Sequence, residues 1–162
     1  MLYIVVIGIL VAIDQGIKLW VRTYLTPDSF IEIIPHLIHL TYQENQGISF
    51  SLLSNLPDAL RVPLLTGVSL LVILGLIVYI VYNRHQLNRG EKWGFSLILA
   101  GAIGNLIDRA FRQQVTDYMY FHFYDTSFFV NNFADDLISI GFVLMIWQSF
   151  KSKDKEKENG RK

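Results

Sequence analysis

Two aspartates beside apolar segments, Asp117 and Asp135, are the residues in this chain best suited to chemistry. If they meet, they can share one proton, because two close carboxylates do not both ionise easily. The ionised member can then take a proton from water as the water attacks an amide carbonyl. The protonated member can polarise that carbonyl and later help to protonate the leaving nitrogen. The pattern indicates amide hydrolysis, although periodicity alone does not bring the two side chains together.

The composition excludes several other kinds of site. The 162 residues include no cysteine, which rules out disulfides, thiol catalysis and cysteine metal ligands. The four histidines lack the spacing of a zinc site, so no metal and no cofactor is expected. The basic residues of the last twelve positions are mixed with three acids, so nucleic-acid binding is not indicated. Apolar residues make up 52% and charged residues 17% of the chain, which points to a membrane protein.

Four apolar segments are predicted to cross a membrane as helices, at about residues 1–25, 62–82, 91–109 and 133–150. A spanning helix needs about 20 mostly apolar residues. The second segment is the clearest span, because residues 63–82 carry no charge. The third and fourth reach this length only if their flanking polar residues enter the membrane. We expect a single four-helix membrane domain over 1–150, followed by a charged cytoplasmic tail at 151–162.

The distribution of basic residues predicts the orientation of these helices. The connection at 83–92 carries three basic residues and the tail is rich in lysine, so the positive-inside rule places both in the cytoplasm, together with both termini. Segments 26–58 and 110–132 then face outward. The first is β-branched and partly alternating, which predicts short strands. The second is dense in aromatic residues, as expected at a membrane interface. The expected fold is all-α, with four transmembrane helices and a small extracytoplasmic β-rich platform and loop.

Three aspartates within the predicted helices, Asp14, Asp108 and Asp135, are expected at similar depths. Measured from the inner ends of their helices, Asp108 and Asp135 each lie about 24 Å outward and Asp14 about 20 Å outward, at a rise of about 1.5 Å per residue. Charges buried in a membrane are costly, and they are expected to face one another or a water-filled cavity. Carboxylates held at one depth are therefore candidates for a functional site.

Ion pairing is a structural explanation for some of these charges. Asp14 and Lys18 have the favourable i, i+4 order for an ion pair on one helix face. Asp108 has Arg109 and Arg112 close by in the sequence, and either one is an expected partner. Such pairs would brace a site without contacting a substrate.

Five short blocks resemble, in order, the signature blocks of lipoprotein signal peptidase, also called signal peptidase II. They are DQGIK (14–18), NQGISF (45–50), GAIGNLIDR (101–109), VTDY (115–118) and NNFAD (131–135). The resemblance implies an aspartic endopeptidase of the bacterial cytoplasmic membrane that removes signal peptides from diacylglyceryl-modified prolipoproteins. It implies cleavage just before the lipidated cysteine, at a site near the extracytoplasmic face. It also implies contact with membrane lipids and inhibition by peptide-like compounds such as globomycin.

The resemblance further implies roles for individual residues, with Asp117 and Asp135 as the catalytic pair. The residues implied to bind substrate are Asn45, Gly47, Asn105, Arg109 and Asn132, and those implied to support the site are Asp14, Lys18, Gly101, Gly104, Asp108 and Ala134. Asparagine amides can hold a substrate backbone or orient a carboxylate. The two helix glycines also suit close helix packing, and Asn105 also suits an interhelical hydrogen bond.

The fifth block departs from the family pattern, because it stands in a doubled context, NNFADD. Register against Ala134 selects Asn132 and Asp135 as the matching residues. Asp136 is then rotated by about 100° around the helix, where it would face solvent or cap the helix start. The alternative functions are a carboxylate-based membrane transporter and a non-catalytic membrane assembly protein. The lack of an internal repeat and the clustering of charges near one face disfavour the transporter.

Overall fold

The computed structural model describes residues 1–47, 57–124 and 126–159, which form four long helices and one small sheet. The helices are α1 (Leu2–Tyr24), α2 (Asp58–Tyr82), α3 (Arg89–Arg112) and α4 (Phe133–Asn159). Each is long and apolar enough to cross a membrane. The end of the NQGISF block, the rest of the predicted outer segment up to residue 56 and the tail at 160–162 lie outside the described residues.

Helix α3 is the central helix of the bundle. Half of its apolar span is buried, compared with 11–17% of the spans of the other three helices, and α3 contacts each of them. It begins at a capping box in which Asn88 Oδ1 accepts from the Glu91 N–H at 3.0 Å and Glu91 Oε2 accepts from the Asn88 N–H at 2.8 Å. It ends at Arg112, and the backbone of the next residue, Gln113, is left-handed with a φ of 65°.

Glycines allow α1, α3 and α4 to approach one another closely. A Cβ on Gly101 would collide with the carbonyl oxygen of Ala134 in α4. A Cβ on Gly104 would lie 2.5 Å from Asp14 Oδ2 in α1, which is closer than real Cβ contacts come. Small residues at helix contacts are the usual means of close packing between membrane helices. This packing places the polar residues of the three helices within hydrogen-bonding distance.

The sheet has four antiparallel strands in sequence order, β1 (Ile31–Ile34), β2 (Ile38–Asn45), β3 (Val115–Phe123) and β4 (Thr126–Asn131). The first two are the short strands predicted from the β-branched segment. The aromatic segment, which sequence reasoning assigned only to a membrane interface, forms the other two strands. Aromatic residues are enriched both in strands and at membrane interfaces, so composition alone did not separate these structures.

Short connections tie the sheet to the helix ends. Strand β3 begins three residues after α3 ends, and Asn132 alone separates β4 from α4. The sheet also packs on the end of α1, where Val21, Leu25 and Tyr118 form a buried apolar cluster. Asp117 in β3 and Asp135 in α4 are therefore carried by elements with little freedom to move apart.

Candidate active site

Asp117 and Asp135 line the same cavity, which has a volume of about 250 Å³. Asp117 lies within β3, not in a loop as its position after the third span suggested, and its side chain is 2% exposed. The cavity lies between α2, α3, α4 and the sheet, and its other lining residues are Asn45, Leu65, Val68, Ser69, Val72, Ala102, Asn105, Arg109, Val115 and Ile138. A second cavity of about 320 Å³ adjoins it at Asn45, Asp135 and Ile138. Asp135 thus stands where the two cavities meet.

Two asparagines hold the Asp117 carboxylate. Asn45 Nδ2 donates to Oδ2 at 2.9 Å, and Asn132 Nδ2 donates to Oδ1 at 2.6 Å. Burial raises the pKa of Asp117 to about 6, and the nearby Asp135 charge adds to the rise, while the two asparagine hydrogen bonds oppose it. A carboxyl group with this pKa can carry a proton near neutral pH.

Asp135 lies in the first turn of α4, whose N-terminal backbone donors all have partners. Phe133 N–H donates to the Tyr118 hydroxyl, Ala134 N–H donates to Asp14 Oδ1 and Asp135 N–H donates to Asn132 Oδ1, each at 3.1 Å. Asn132 is therefore the side-chain cap of α4. These bonds fix the position of the Asp135 backbone relative to α1 and β3.

The Asp135 carboxylate accepts a hydrogen bond from Asn105 Nδ2 at 2.8 Å. Asn105 thus joins α3 to the start of α4, in addition to lining the cavity. The amide nitrogens of Asn45, Asn105 and Asn132 all point to a candidate catalytic carboxylate. Of the two roles open to asparagine in the sequence, the geometry supports carboxylate orientation, and contact with a substrate stays a prediction.

A buried ionic cluster lies behind Asn105. Lys18 Nζ lies 3.0 Å from Asp14 Oδ2, as the i, i+4 spacing predicted, and 3.1 Å from Asp108 Oδ2. It also donates to Asn105 Oδ1 at 2.9 Å. Asp14 and Lys18 are fully buried and Asp108 is 1% exposed, so these groups depend on one another for compensation of charge.

The expected pairing of Asp108 with Arg109 or Arg112 is wrong. Asp108 faces α1, where Lys18 and Arg22 reach it, the latter at 3.4 Å. Arg109 is the next residue around the helix and faces the cavity instead, and Arg112 pairs with Glu44 at 2.9 Å. Proximity in the sequence misled here, because the partner lies on another helix.

Sequence reasoning missed two residues that help to build the site. Arg22 donates to Thr116 Oγ1 at 3.1 Å as well as approaching Asp108, and so links α1, α3 and β3. Its position four residues after Lys18, on the same face of α1, was a usable signal. Tyr118 was seen only as part of the VTDY block. It adjoins Asp117 on a strand, where neighbouring side chains point to opposite faces, so it can reach α4 while Asp117 reaches the cavity.

Arg109 and the start of the NQGISF block meet at the rim of the site. Arg109 Nη2 lies 3.4 Å from the Gly47 carbonyl oxygen, and Gly47 N–H donates to Asn45 Oδ1 at 2.9 Å. The second bond closes a local side-chain turn that orients Asn45. The structure thus brings Asn45, Gly47 and Arg109 together beside the two carboxylates.

Asp136 takes neither of the two places expected for it. It is half-buried, and its Oδ1 accepts from Asn131 Nδ2 at 2.7 Å. The helix start is capped by Asn132, and Asp136 is not among the residues that line the two cavities at Asp135. The two adjacent aspartates therefore occupy different environments.

A profile of the family described as Signal peptidase (SPase) II matches residues 6–151. The chain belongs to the signal peptidase II family. Its relatives include lipoprotein signal peptidases of Brucella ovis and Brucella canis, each 36% identical over 149 residues, which cover 92% of this chain and 88% of the relative. Membership makes this chain an aspartic-type peptidase and favours that activity over transport or non-catalytic assembly.

Solved structures support the same fold for this chain. A bacterial membrane enzyme solved by the in meso method at 2.3 Å resolution is 28% identical, with a TM-score of 0.82 over 96% of this chain and 92% of that chain. A second, solved by the same method at 1.9 Å resolution, is also 28% identical, with a TM-score of 0.78 over 92% of each chain. The predicted fold class, four membrane helices with a small β-sheet platform, is confirmed.

Proposed function

We propose that this chain removes the signal peptide of diacylglyceryl-modified bacterial prolipoproteins, with Asp117 and Asp135 as its catalytic pair. The scissile bond would be the peptide bond on the N-terminal side of the lipidated cysteine. The observation that carries the proposal is that both carboxylates line one cavity and receive hydrogen bonds from oriented asparagine amides. The substrate class follows from the lipoprotein signal peptidases to which the chain is similar.

In the proposed reaction, Asp135 is the base and Asp117 is the acid. Asp135 lies at the N-terminus of α4, where the helix dipole favours the ionised form. It takes a proton from water as the water oxygen bonds to the carbonyl carbon, and Asp117 gives its proton to the carbonyl oxygen. The tetrahedral intermediate collapses when Asp135 gives its proton to the leaving nitrogen and Asp117 recovers one from a hydroxyl group. The carbon–nitrogen bond then breaks, and both carboxyl groups return to their starting states.

The surroundings of the pair suit an extended peptide that passes over Asp135. Because two cavities adjoin at Asp135, a substrate can extend to either side of the bond that is cut. Arg109, which lines the first cavity, would contact a substrate carbonyl or a lipid phosphate, and Asn45 and Gly47 would form the rim of the site. The apolar wall from α2, formed by Leu65, Val68 and Val72, suits entry from the bilayer. Lateral entry is needed, since the lipid on the substrate stays in the membrane.

The proposed location is the bacterial cytoplasmic membrane, with both termini in the cytoplasm and the active site near the outer face. The basic connection at 83–92 and the lysine-rich tail support this orientation through the positive-inside rule. Residues 1–150 would then be one catalytic domain and 151–162 a cytoplasmic tail. Peptide-like inhibitors such as globomycin would compete with substrate for the cavity that Asp117 and Asp135 line.

The test is cleavage of a precursor by the purified protein in lipid vesicles, followed by mass spectrometry of both products. We expect a lipid-bearing product that begins at the modified cysteine and a free signal peptide. The unmodified precursor is the matched control and should stay intact. Cleavage at another bond, or equal cleavage of the unmodified precursor, would overturn the proposed substrate and bond. Cleavage that persists in folded Asp117→Asn or Asp135→Asn would overturn the proposed mechanism.

A further inference from the structure

The three asparagines of the site share one arrangement. In each, a fixed N–H donor occupies the amide oxygen, and the amide nitrogen is left to donate to a carboxylate. For Asn45 and Asn132 the fixed donors are backbone groups, those of Gly47 at 2.9 Å and Asp135 at 3.1 Å. For Asn105 the donor is the side chain of Lys18, at 2.9 Å. Asn105 is therefore the member of this set whose orientation depends on another side chain.

Lys18 is well suited to hold Asn105. An ammonium group has three N–H donors, and Nζ has three acceptors within 3.1 Å, on Asp14, Asp108 and Asn105. Because the two carboxylates fix the ammonium from α1 and α3, its third N–H has a defined direction. Lys18 is fully buried, so water does not compete for that bond.

The amide of Asn105 has two orientations that differ by exchange of its oxygen and nitrogen. In the observed one, Oδ1 faces the Lys18 ammonium and Nδ2 faces Asp135 Oδ1 at 2.8 Å. In the exchanged one, the NH₂ group would face a cation and the carbonyl oxygen would face a carboxylate, and both contacts would be repulsive. Removal of Lys18 would remove one of the two forces that select the productive orientation.

We propose that Lys18 is a positioning residue for peptide-bond hydrolysis, acting on Asp135 through the amide of Asn105. This inference rests on the proposed function of Asp135. Lys18 does not line either cavity at Asp135, so its effect reaches the reaction only through its neighbours. Loss of a residue with this role should lower the rate of the chemical step and leave substrate binding unchanged.

Loss of Lys18 alone would leave two buried carboxylates with less compensating charge and could unfold the protein. The test therefore uses the charge-balanced variant Lys18→Met/Asp14→Asn, compared with Asp14→Asn alone. The asparagine at 14 keeps an oxygen that can accept from the Ala134 N–H. Asp108 keeps its contact with Arg22 in both variants.

We expect kcat of Lys18→Met/Asp14→Asn to fall about 10- to 100-fold relative to Asp14→Asn, because a hydrogen bond to a charged group is lost. KM should stay within about twofold, because no substrate contact changes. When both variants also carry Asn105→Ala, the same comparison should show a loss below about threefold, since the path from Lys18 to Asp135 is already broken. A rise in KM at constant kcat, no loss of kcat or an equal loss in the Asn105→Ala background would overturn the proposal.

Two further variants separate positioning from general stability. Lys18→Gln/Asp14→Asn keeps a neutral N–H donor and should recover part of the lost kcat. If the methionine variant does not fold, the glutamine variant decides the question. A kcat within about tenfold of Asp14→Asn supports the proposal, and a greater loss in a folded protein overturns it. Arg22→Met removes the other cation from Asp108 without touching Asn105, so its kcat should fall clearly less than that of the Lys18 variant. A loss as large as that of the Lys18 variant would overturn the proposal.

Asp135→Asn measured in parallel separates this inference from the proposed function. An active and folded Asp135→Asn would remove the proposed function and the Lys18 inference with it. If Asp135→Asn is inactive but Lys18→Met/Asp14→Asn keeps the kcat of Asp14→Asn, only the inference about Lys18 is overturned.

Discussion

The two candidate catalytic carboxylates differ in what holds them. Asp117 lies on a strand and receives two N–H bonds from asparagines whose oxygens are occupied by backbone amides. Asp135 lies at a helix start and is tied through Asn105 to an ionic cluster buried between α1 and α3. One environment is made of neutral groups and the other of a helix terminus and buried charges. In the proposed mechanism, this difference assigns the acid role to one aspartate and the base role to the other.

Asn132 touches both environments, so its replacement has the largest expected effect among the supporting residues. Asn132→Ala should lower kcat about 100-fold, because Asp117 loses one of the two hydrogen bonds that orient it. It should also lower the free energy of unfolding by about 1 kcal/mol, because α4 loses its cap. Asn132→Asp keeps a cap acceptor but adds a third carboxylate, so stability should recover without activity. Enzyme kinetics measure the change in kcat, and thermal unfolding measures the change in stability. A wild-type kcat in Asn132→Ala would show that Asn132 does not link the environments of Asp117 and Asp135.

Gly104→Ala tests only the buried ionic cluster that supports Asp135. The added Cβ would lie 2.5 Å from Asp14 Oδ2, so Asp14 or α3 must shift. We expect a loss of about 1–3 kcal/mol in the free energy of unfolding and a fall of about tenfold in kcat as the support of Asp135 loosens. Gly16→Ala in α1, where a Cβ meets nothing within 4 Å, is the matched control and should lower neither the stability nor kcat. Normal stability of Gly104→Ala would show that Asp14 is not held in place by this contact.

The pH dependence of kcat/KM tests the environment of Asp117 on the sheet. The proposed acid must be protonated, and burial raises the pKa of Asp117 to about 6, so kcat/KM should fall as the pH rises through that value. Asn45→Ala removes a donor that favours the ionised form, which raises the pKa further and moves the fall in rate to higher pH. Asn105→Ala changes the surroundings of Asp135 instead, so it should shift the pH at which kcat/KM falls by less than Asn45→Ala does. A shift to lower pH in Asn45→Ala would contradict the acid role of Asp117.

Tyr118→Phe has the smallest expected effect, because it removes one acceptor from a backbone N–H at the start of α4. We expect a loss of about 1 kcal/mol in the free energy of unfolding and a fall of about threefold in kcat. Tyr120→Phe, two residues along the same strand, is the control, since that ring stacks on His122 and not on α4. Equal effects of the two substitutions would show that the hydroxyl of Tyr118 does not help to position Asp135.

Apolar segments and charge depth allowed much of this arrangement to be predicted from the sequence. The four spans follow from length and hydropathy, and the expected similar depths of Asp14, Asp108 and Asp135 agree with their contacts through Lys18, Asn105 and the Ala134 N–H. The i, i+4 pair on α1 was likewise readable, because both partners lie on one helix face. Local geometry was sufficient for each of these inferences.

Contacts between elements were much harder to predict. That Asp117 and Asp135 line one cavity was implied by the family resemblance alone, since helix and strand periods do not reveal which elements pack together. The pairing of Asp108 was wrong for the same reason, because its partners come from α1. The contact from Lys18 to Asn105 also joins two helices, and it depends on the close approach that Gly104 allows.

We propose that Asp117 and Asp135, and not the adjacent Asp136, form the catalytic pair. The most direct test is cleavage of a diacylglyceryl-modified precursor by purified Asp117→Asn, Asp135→Asn and Asp136→Asn, each shown to be folded by thermal unfolding. We expect no cleavage by the first two and cleavage close to wild type by the third, whose carboxylate contacts Asn131. Cleavage by folded Asp117→Asn or Asp135→Asn, or loss of cleavage in Asp136→Asn alone, would show that Asp117 and Asp135 are not the catalytic pair.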